Sequence, residues 1–533
     1  MNRLHSFSQA PIWELQKNYY QHLGIETWSN ALVPFNATSN AFIAHHYAAV
    51  IRAYIIDLYA KYGSASLFPL NILELGVGHG RFSFMLLQAL ENILADLDFA
   101  EGHNFYRYIM TDVVEANIEV WRTHPRLKPF IEAGKLDFAF FDAQHPNDAR
   151  LSIMQQSCAE YLQHRPLVIV ANFMLDVLPY DLFYVEHETL HACEVRYDLP
   201  ADIPLDQNPE QLIKASSFNY YRHKIVMPYY ADDTLDDILL DYSQHLTQTV
   251  FQFPIVAIEL YRFFADLTPD QLWLVSEEAD TEWAQLEGRN DVGLKKAGSF
   301  TSRVNLHALF EYAKRHGAKC LSPDWSDARF DSFAITTGLE YSPQAHIWAA
   351  IRHYLFDFGP KDYFRLVVSL YKNEVELDTN GCISLLELGY ADPYLIFRLR
   401  KMLIKACINL TGFKRIAFER TLIRSWENYY NLGEEFDYAN LLATLLFKLG
   451  NYEQALIFFS KSLALKGKSA ETFYQMGKCA QYLEDLPLTV KFYQQALALA
   501  PNHHKAQRRL GLLHGFVNSE ILQELRDQFV IND

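Results

Sequence analysis

Residues 72–81 read Ile-Leu-Glu-Leu-Gly-Val-Gly-His-Gly-Arg, a short apolar run that breaks into three alternating glycines. Ile72 to Leu75 carry the pattern of a buried strand and Arg81 to Leu90 that of a helix, so Gly76, Gly78 and Gly80 form the turn between them. Glycine suits such a turn because it adopts positive φ at little steric cost and leaves bare backbone for a ligand to approach. Strand, glycine turn and helix in this order are how a doubly wound α/β sheet admits a nucleotide at the carboxyl end of its first strand.

The spacing narrows the ligand. A dinucleotide loop reads G-x-G-x-x-G, with the pyrophosphate on the helix N-terminus. Here the third glycine arrives one residue early and Arg81 follows it, which disfavours a NAD-dependent oxidoreductase. Glu74, two residues before the first glycine, completes E-x-G-x-G-x-G. That pattern resembles the first motif of class I S-adenosylmethionine (SAM) methyltransferases. The resemblance implies that Glu74, Gly76, Gly78 and Gly80 bind the cofactor, the glycines passing under its methionine part and the acid helping to hold its ammonium group. The plainer alternative is a strand-to-helix turn that needs small residues.

The following segments repeat the strand-then-polar-end pattern. Phe105 to Thr111 is rich in β-formers and ends at Asp112, a carboxylate placed to accept hydrogen bonds from ribose hydroxyls. The interval from Gly76 is long because a polar stretch through Asn104 intervenes, and Glu115, one turn later, is the alternative. Leu136 to Phe141 ends at Asp142, where an acid can accept from an adenine amino group while Phe141 or Ala143 packs on the ring. Leu167 to Ala171 is a continuous apolar run, as in a parallel strand covered on both faces, and leads into Asn172-Phe173-Met174-Leu175-Asp176-Val177-Leu178-Pro179. Leu272 to Ser276 ends in Glu277-Glu278.

With 533 residues, half of them apolar and 14% aromatic, the chain should fold as two or three globular domains. A net charge of -17 opposes nonspecific binding to nucleic acid or an anionic membrane. The N-terminus lacks the build of a signal peptide and no apolar run reaches transmembrane length. Cys158, Cys193, Cys320, Cys382, Cys407 and Cys479 have no paired spacing, which predicts reduced thiols in the cytoplasm rather than disulfides or a zinc site. No metal site is expected, since His45-His46 and His503-His504 are adjacent pairs that cannot face one ion from a helix.

Three regions are expected. Residues 1–70 read as a helical lead-in whose apolar segment Asn40 to Tyr62 packs against the sheet or covers the cofactor. Residues 71–338 form a Rossmann-like methyltransferase domain with an insertion at about 180–265. The insertion begins with a hairpin, Phe183-Tyr184-Val185 against His191 to Val195, and continues through the aromatic Phe218 to His223 and a helix over Asp236 to Thr249. Its place over the sheet makes it an acceptor pocket or a structural cap. Residues 339–533 are read as an α-solenoid, tetratricopeptide-like most clearly at 436–515, where a 34-residue shift brings Phe436 onto the phase of Ala470. Such stacked helix pairs form a curved surface that often holds a peptide, so a protein partner is expected there, the alternative being that the solenoid only packs on the catalytic domain or mediates self-association.

Taken together, the core resembles the methyltransferase branch that contains the mitochondrial complex I assembly arginine methyltransferase and its bacterial relatives. The likeness rests on Glu74 to Gly80, on Ala171 to Pro179, which is similar to that branch's Ala-Asn-Glu-x-x-Asp-x-x-Pro, and on Gly298-Ser299-Phe300-Thr301-Ser302-Arg303-Val304-Asn305-Leu306, which looks like its Thr-x-x-Val-Asp-Phe element. It spans roughly residues 40–338. Phe173 stands where the branch has Glu, so one carboxylate for a guanidinium acceptor is missing and Asp176 remains, with Glu277 as a possible helper. The implied chemistry is in-line methyl transfer to a protein substrate, a nitrogen acceptor being favoured, with Asp176 orienting or deprotonating the acceptor and Asn172 beside the methyl group. Asp176 has an alternative role as a helix cap and Asn172 as a polar strand end. The competing function is an inactive SAM-binding scaffold whose solenoid assembles a complex.

Overall fold

The computed structural model describes residues 4–29, 37–63, 69–97, 104–198, 209–291, 293–297, 299–325, 330–339, 345–372 and 375–516. Gly298 and most of the polar stretch before Asn104 lie outside the described residues. The chain divides into two compact units, residues 1–372 and 373–533.

An eight-stranded sheet organises the first unit. Its five parallel strands, first to fifth in chain order, are Leu70–Leu75, Tyr106–Asp112, Leu136–Phe140, Leu167–Asn172 and Gln271–Glu277. The first strand lies between the second and the fourth. The chain fills one side with its second and third strands, then crosses to lay the fourth and fifth on the other. Strand order therefore reverses beside the first strand, and such a switch point leaves a crevice outside the carboxyl ends. Asp331–Thr337 runs antiparallel along the whole fifth strand, from Gln271 opposite Thr337 to Glu277 opposite Asp331. The first strand is buried at every residue, which is why its sequence is apolar apart from Asn71 and Glu74.

The helix Ala41–Tyr62 packs against the helix Arg81–Leu94 and against the sheet. Its N-terminus is fixed by Asn40, whose side chain accepts from the Ile43 N–H at 3.1 Å. It is apolar on more than one face because residues beyond the expected domain end cover its far side. Asp57 accepts N–H bonds from His346 (3.0 Å) and Ile347 (2.8 Å), and His46 Nδ1 meets the Tyr354 carbonyl at 2.6 Å. The compact unit therefore runs to Lys372 rather than stopping at residue 338.

The insertion builds a second, five-stranded sheet. Asp181–Glu186 and Thr189–Asp198 form the expected hairpin, with Phe183 opposite Ala192. The aromatic Phe218 to His223 lies in an outer strand, Ser217–Lys224. The helix expected over Asp236 to Thr249 spans Asp233–His245 instead, because Gln248–Phe253 pairs in register with Asp181–Glu186. His5–Ser6 adds to the same sheet, so the lead-in is an integral part of the unit.

The second unit is rich in helix. Tyr438–Lys448, Tyr452–Lys466, Ala470–Tyr482, Leu486–Leu499 and His504–Phe516 each pack on the next. Gly477 sits where two of them touch, and a Cβ there would lie 2.5 Å from the Tyr493 ring. A chain cut after Lys372 is expected to keep a cooperative thermal transition. One cut after Gly338 should melt lower or precipitate, because it uncovers the buried back of the Ala41–Tyr62 helix; circular dichroism melts of the two chains check this.

Candidate functional site

The turn after the first strand is built from left-handed backbone. Gly76, Gly78 and Gly80 have φ of 63°, 62° and 80°. A Cβ on Gly76 would approach Met174 Cγ to 2.9 Å, so space as well as conformation demands glycine there. The turn is tied to the second strand: the Val77 N–H donates to the Thr111 carbonyl (3.0 Å) and the Gly78 N–H to Asp112 Oδ2 (2.8 Å). Trp121 Nε1 donates to the Gly78 carbonyl at 3.1 Å.

Two buried acids lie against this turn. Glu74 Oε2 accepts from the Ser83 hydroxyl and from Tyr108 OH (2.7 Å). Burial pushes its carboxyl up to about 7, the two hydroxyls opposing the shift and the charge of Asp112 adding to it. Asp112 Oδ1 accepts from the Val114 N–H at 3.0 Å. Burial pushes Asp112 up to about 6 against the pull of the backbone N–H groups it accepts from. Glu115, the alternative to Asp112, is exposed at the start of the helix Glu115–Thr123 and does not line the cleft.

A cleft opens above the turn. Glu74, Gly76 and Gly78 line its base, Asp112, Phe141 and Asp142 one side, and Asn172, Phe173 and Met174 the other. Phe141 is held by a near-parallel stack on Phe264, with ring centroids 6.1 Å apart. Asp142 is already engaged, pairing with Lys17 at 2.8 Å and accepting from the Gln144 N–H at 3.0 Å. Burial raises its carboxyl, but Lys17 and that N–H outweigh burial and hold it below the usual range. Asn172 Oδ1 accepts from Tyr47 OH (3.0 Å), which also contacts Ser276 Oγ (2.7 Å). Asn172 Nδ2 is buried and has no hydrogen-bond partner among the described residues. A buried amide donor without a partner is costly, and a ligand acceptor in the cleft would satisfy it.

Asp176 is placed otherwise than the sequence suggested. It lies in the single 3₁₀ turn Leu175–Val177, buried, and it does not line the cleft. The i,i+3 periodicity of such a turn points Met174 and Val177 into the cleft and leaves Asp176 behind the wall. Burial pushes its carboxyl up to about 7, with Glu278 adding to the shift and Lys295 opposing it.

A further wall was not anticipated. The helix Ile12–Leu23 presents Trp13, Gln16, Lys17 and Tyr20 to the cleft, and Thr38 and Ser39 extend the cover. The spacing 13, 16, 17, 20 is one face of a helix, so the signal was present but carried no motif. The segment that resembles a third family motif secures this helix: Tyr20 OH donates to Ser299 Oγ (3.1 Å) and the Phe300 N–H to Gln16 Oε1 (3.1 Å). The Ala41–Tyr62 helix, expected as a possible cover, instead supports Asn172 through Tyr47.

No family model matches the sequence, and no curated protein does. Two solved structures from Burkholderia thailandensis, members of one superfamily, match part of the chain. One is an uncharacterized protein, 13% identical, with 64% of this chain and 90% of that chain covered and a TM-score of 0.38. The other is a candidate methyl transferase bound to S-adenosyl-homocysteine, 13% identical, with 65% and 90% covered and a TM-score of 0.39.

Because Glu74 ionises near 7 when folded and near 4.5 when unfolded, its contribution is full below pH 4.5 and is lost as the pH rises to 7. Glu74→Gln is therefore expected to stabilise the ligand-free protein at pH 8 by about 1–3 kcal/mol and to change it little at pH 4. Urea titrations at the two pH values check this.

Proposed function

We propose that residues 1–372 form a SAM-dependent methyltransferase. The observation that carries this reading is the left-handed glycine turn, braced by Asp112 and backed by the buried Glu74, beneath a cleft lined by Asn172, whose amide nitrogen has no partner among the described residues. These residues fit the cofactor. Bare backbone at Gly76 and Gly78 admits its methionine part, and Glu74, poised near neutrality, offers charge to an ammonium group. Asp112 retains lone pairs for ribose hydroxyls, and Phe141 supplies an apolar face for a base. Asn172 Nδ2 offers a hydrogen bond beside the reacting centre. When bound, SAM supplies an electrophilic methyl group on a sulfonium. The chain's own part is to hold the acceptor in line and to exclude water beneath the Ile12–Leu23 helix. Lys17 must yield or share Asp142 if that acid is to accept from an adenine amino group.

The acceptor we favour is a protein nitrogen. Helix starts at Tyr452 and Leu486, and at Ala470 and His504, fall 34 residues apart, which supports a tetratricopeptide-like unit that recruits the substrate. The free thiols suit a reducing, cytoplasmic setting. One observation favours a second reading, a SAM-binding scaffold without turnover: Asp176, the acid expected to act on the acceptor, is behind the cleft wall.

Calorimetric titration of SAM, S-adenosyl-homocysteine and NAD tests the proposal. Micromolar binding of the first two, no binding of NAD, and loss of binding in Gly78→Val are expected. Affinity should also rise from pH 5.5 to 8, as Asp112 and Glu74 ionise beside a cationic ligand. A well-folded protein that binds none of the three would remove the enzyme reading. Transfer of label from methyl-tritiated SAM to protein then separates the enzyme from the scaffold.

A further inference from the structure

The turn after the fourth strand shapes half of the cleft, yet its backbone is unfavourable by itself. Phe173 is a bulky residue at φ 47°, a region that side chains other than glycine seldom adopt. Met174, next in line, packs so close to Gly76 that no Cβ fits between them. Something must hold this turn. The Phe173 N–H is fixed by the Ser276 carbonyl at 3.0 Å. The next two amides converge on one carboxyl: Met174 N–H and Leu175 N–H each donate to Glu277 Oε1 at 2.7 Å. The Asp176 N–H faces the same group. Glu277 is fully buried at the end of the fifth strand, and its Oε2 has no hydrogen-bond partner among the described residues.

We propose that Glu277 is the positioning residue of the cleft: its carboxyl gathers the amides after Phe173 and so sets Asn172, Phe173 and Met174 against the glycine turn. Glu277 does not line the cleft; it acts through the turn. Only the affinity arm of the test below rests on the SAM reading. The role requires an acceptor oxygen and does not require a negative charge. Burial raises the Glu277 carboxyl well above its ordinary range, with Asp176 adding to the shift and the three amides opposing it. The groups that face this acid pair are Tyr47 toward Glu277, and Glu278, Lys295 and Tyr20 toward Asp176. Raising the pH therefore sets two buried like charges against each other beside the turn.

The prediction separates acceptor from charge. Glu277→Gln keeps the acceptor oxygen and removes the charge, whereas Glu277→Leu keeps the bulk and removes both. Hydrogen exchange of the ligand-free full chain is read on peptides covering 173–179, beside calorimetry with S-adenosyl-homocysteine at pH 6 and pH 8.5. Glu277→Leu should lose protection at Met174 and Leu175 and bind at least tenfold more weakly. Glu277→Gln should keep protection and bind within threefold of the parent at pH 6. It should also lack any loosening of the turn that the parent shows at pH 8.5. Unchanged protection in a folded Glu277→Leu would overturn the proposal, as would a Glu277→Gln that behaves like Glu277→Leu. If the parent binds no S-adenosyl-homocysteine while Glu277→Leu still loses protection, the positioning role stands and the cofactor reading falls.

Discussion

The carboxylate of Asp112 joins the ends of two neighbouring strands, and the cleft depends on that link. One oxygen takes the Gly78 N–H and the other the Val114 N–H. Three glycines within the five residues 76–80 leave the turn many conformations, since glycine loses more conformational freedom on folding than any other residue. The hydrogen bond to Gly78, with the indole of Trp121 on the Gly78 carbonyl, selects one of them. The helix Arg81–Leu94 then starts where it must to cover the sheet.

A second carboxyl does the same work across the cleft. Glu277 collects the amides after the fourth strand as Asp112 collects those after the first and second. Glu74, Asp112, Asp176 and Glu277 are all buried and all have raised carboxyl pKa values, chiefly through burial. Burying several acids within one site opposes folding, and each is tolerable only because hydrogen bonds or a retained proton offset the desolvation. Of the four, Glu74 and Asp112 line the cleft, and once ionised they favour a ligand that brings positive charge and hydrogen-bond donors. That electrostatic bias, more than the glycine pattern alone, distinguishes it from a pyrophosphate cradle, where the loop meets negative charge.

The fold was legible where local sequence carried the decision. The apolar runs before Gly76, Asp112, Asp142, Asn172 and Glu277 all became parallel strands, because strands buried on both faces need no alternation to be recognised. Legibility failed where distant segments decide. Asn172 was visible, but its orientation depends on Tyr47, 125 residues away in sequence. Asp176 was visible, but which way it faces is set by a single 3₁₀ turn pinned from Glu277. The cover formed by Trp13, Gln16, Lys17 and Tyr20 belongs to a helix with no motif, and contacts distant in sequence, to Ser299, Phe300 and Asp142, bring it to the cleft. The later domain end has the same cause, since Asp57 captures the amides of His346 and Ile347 from the far side.

The most direct test of the account is a crystal structure of the full chain grown with S-adenosyl-homocysteine. Density for the ligand is expected over Gly76 and Gly78, with its ribose at Asp112, its ammonium group on the Glu74 side and a partner for Asn172 Nδ2, and with Glu277 still holding the Met174 and Leu175 amides. A ligand bound elsewhere, or a cleft that remains empty at saturating concentration, would contradict it.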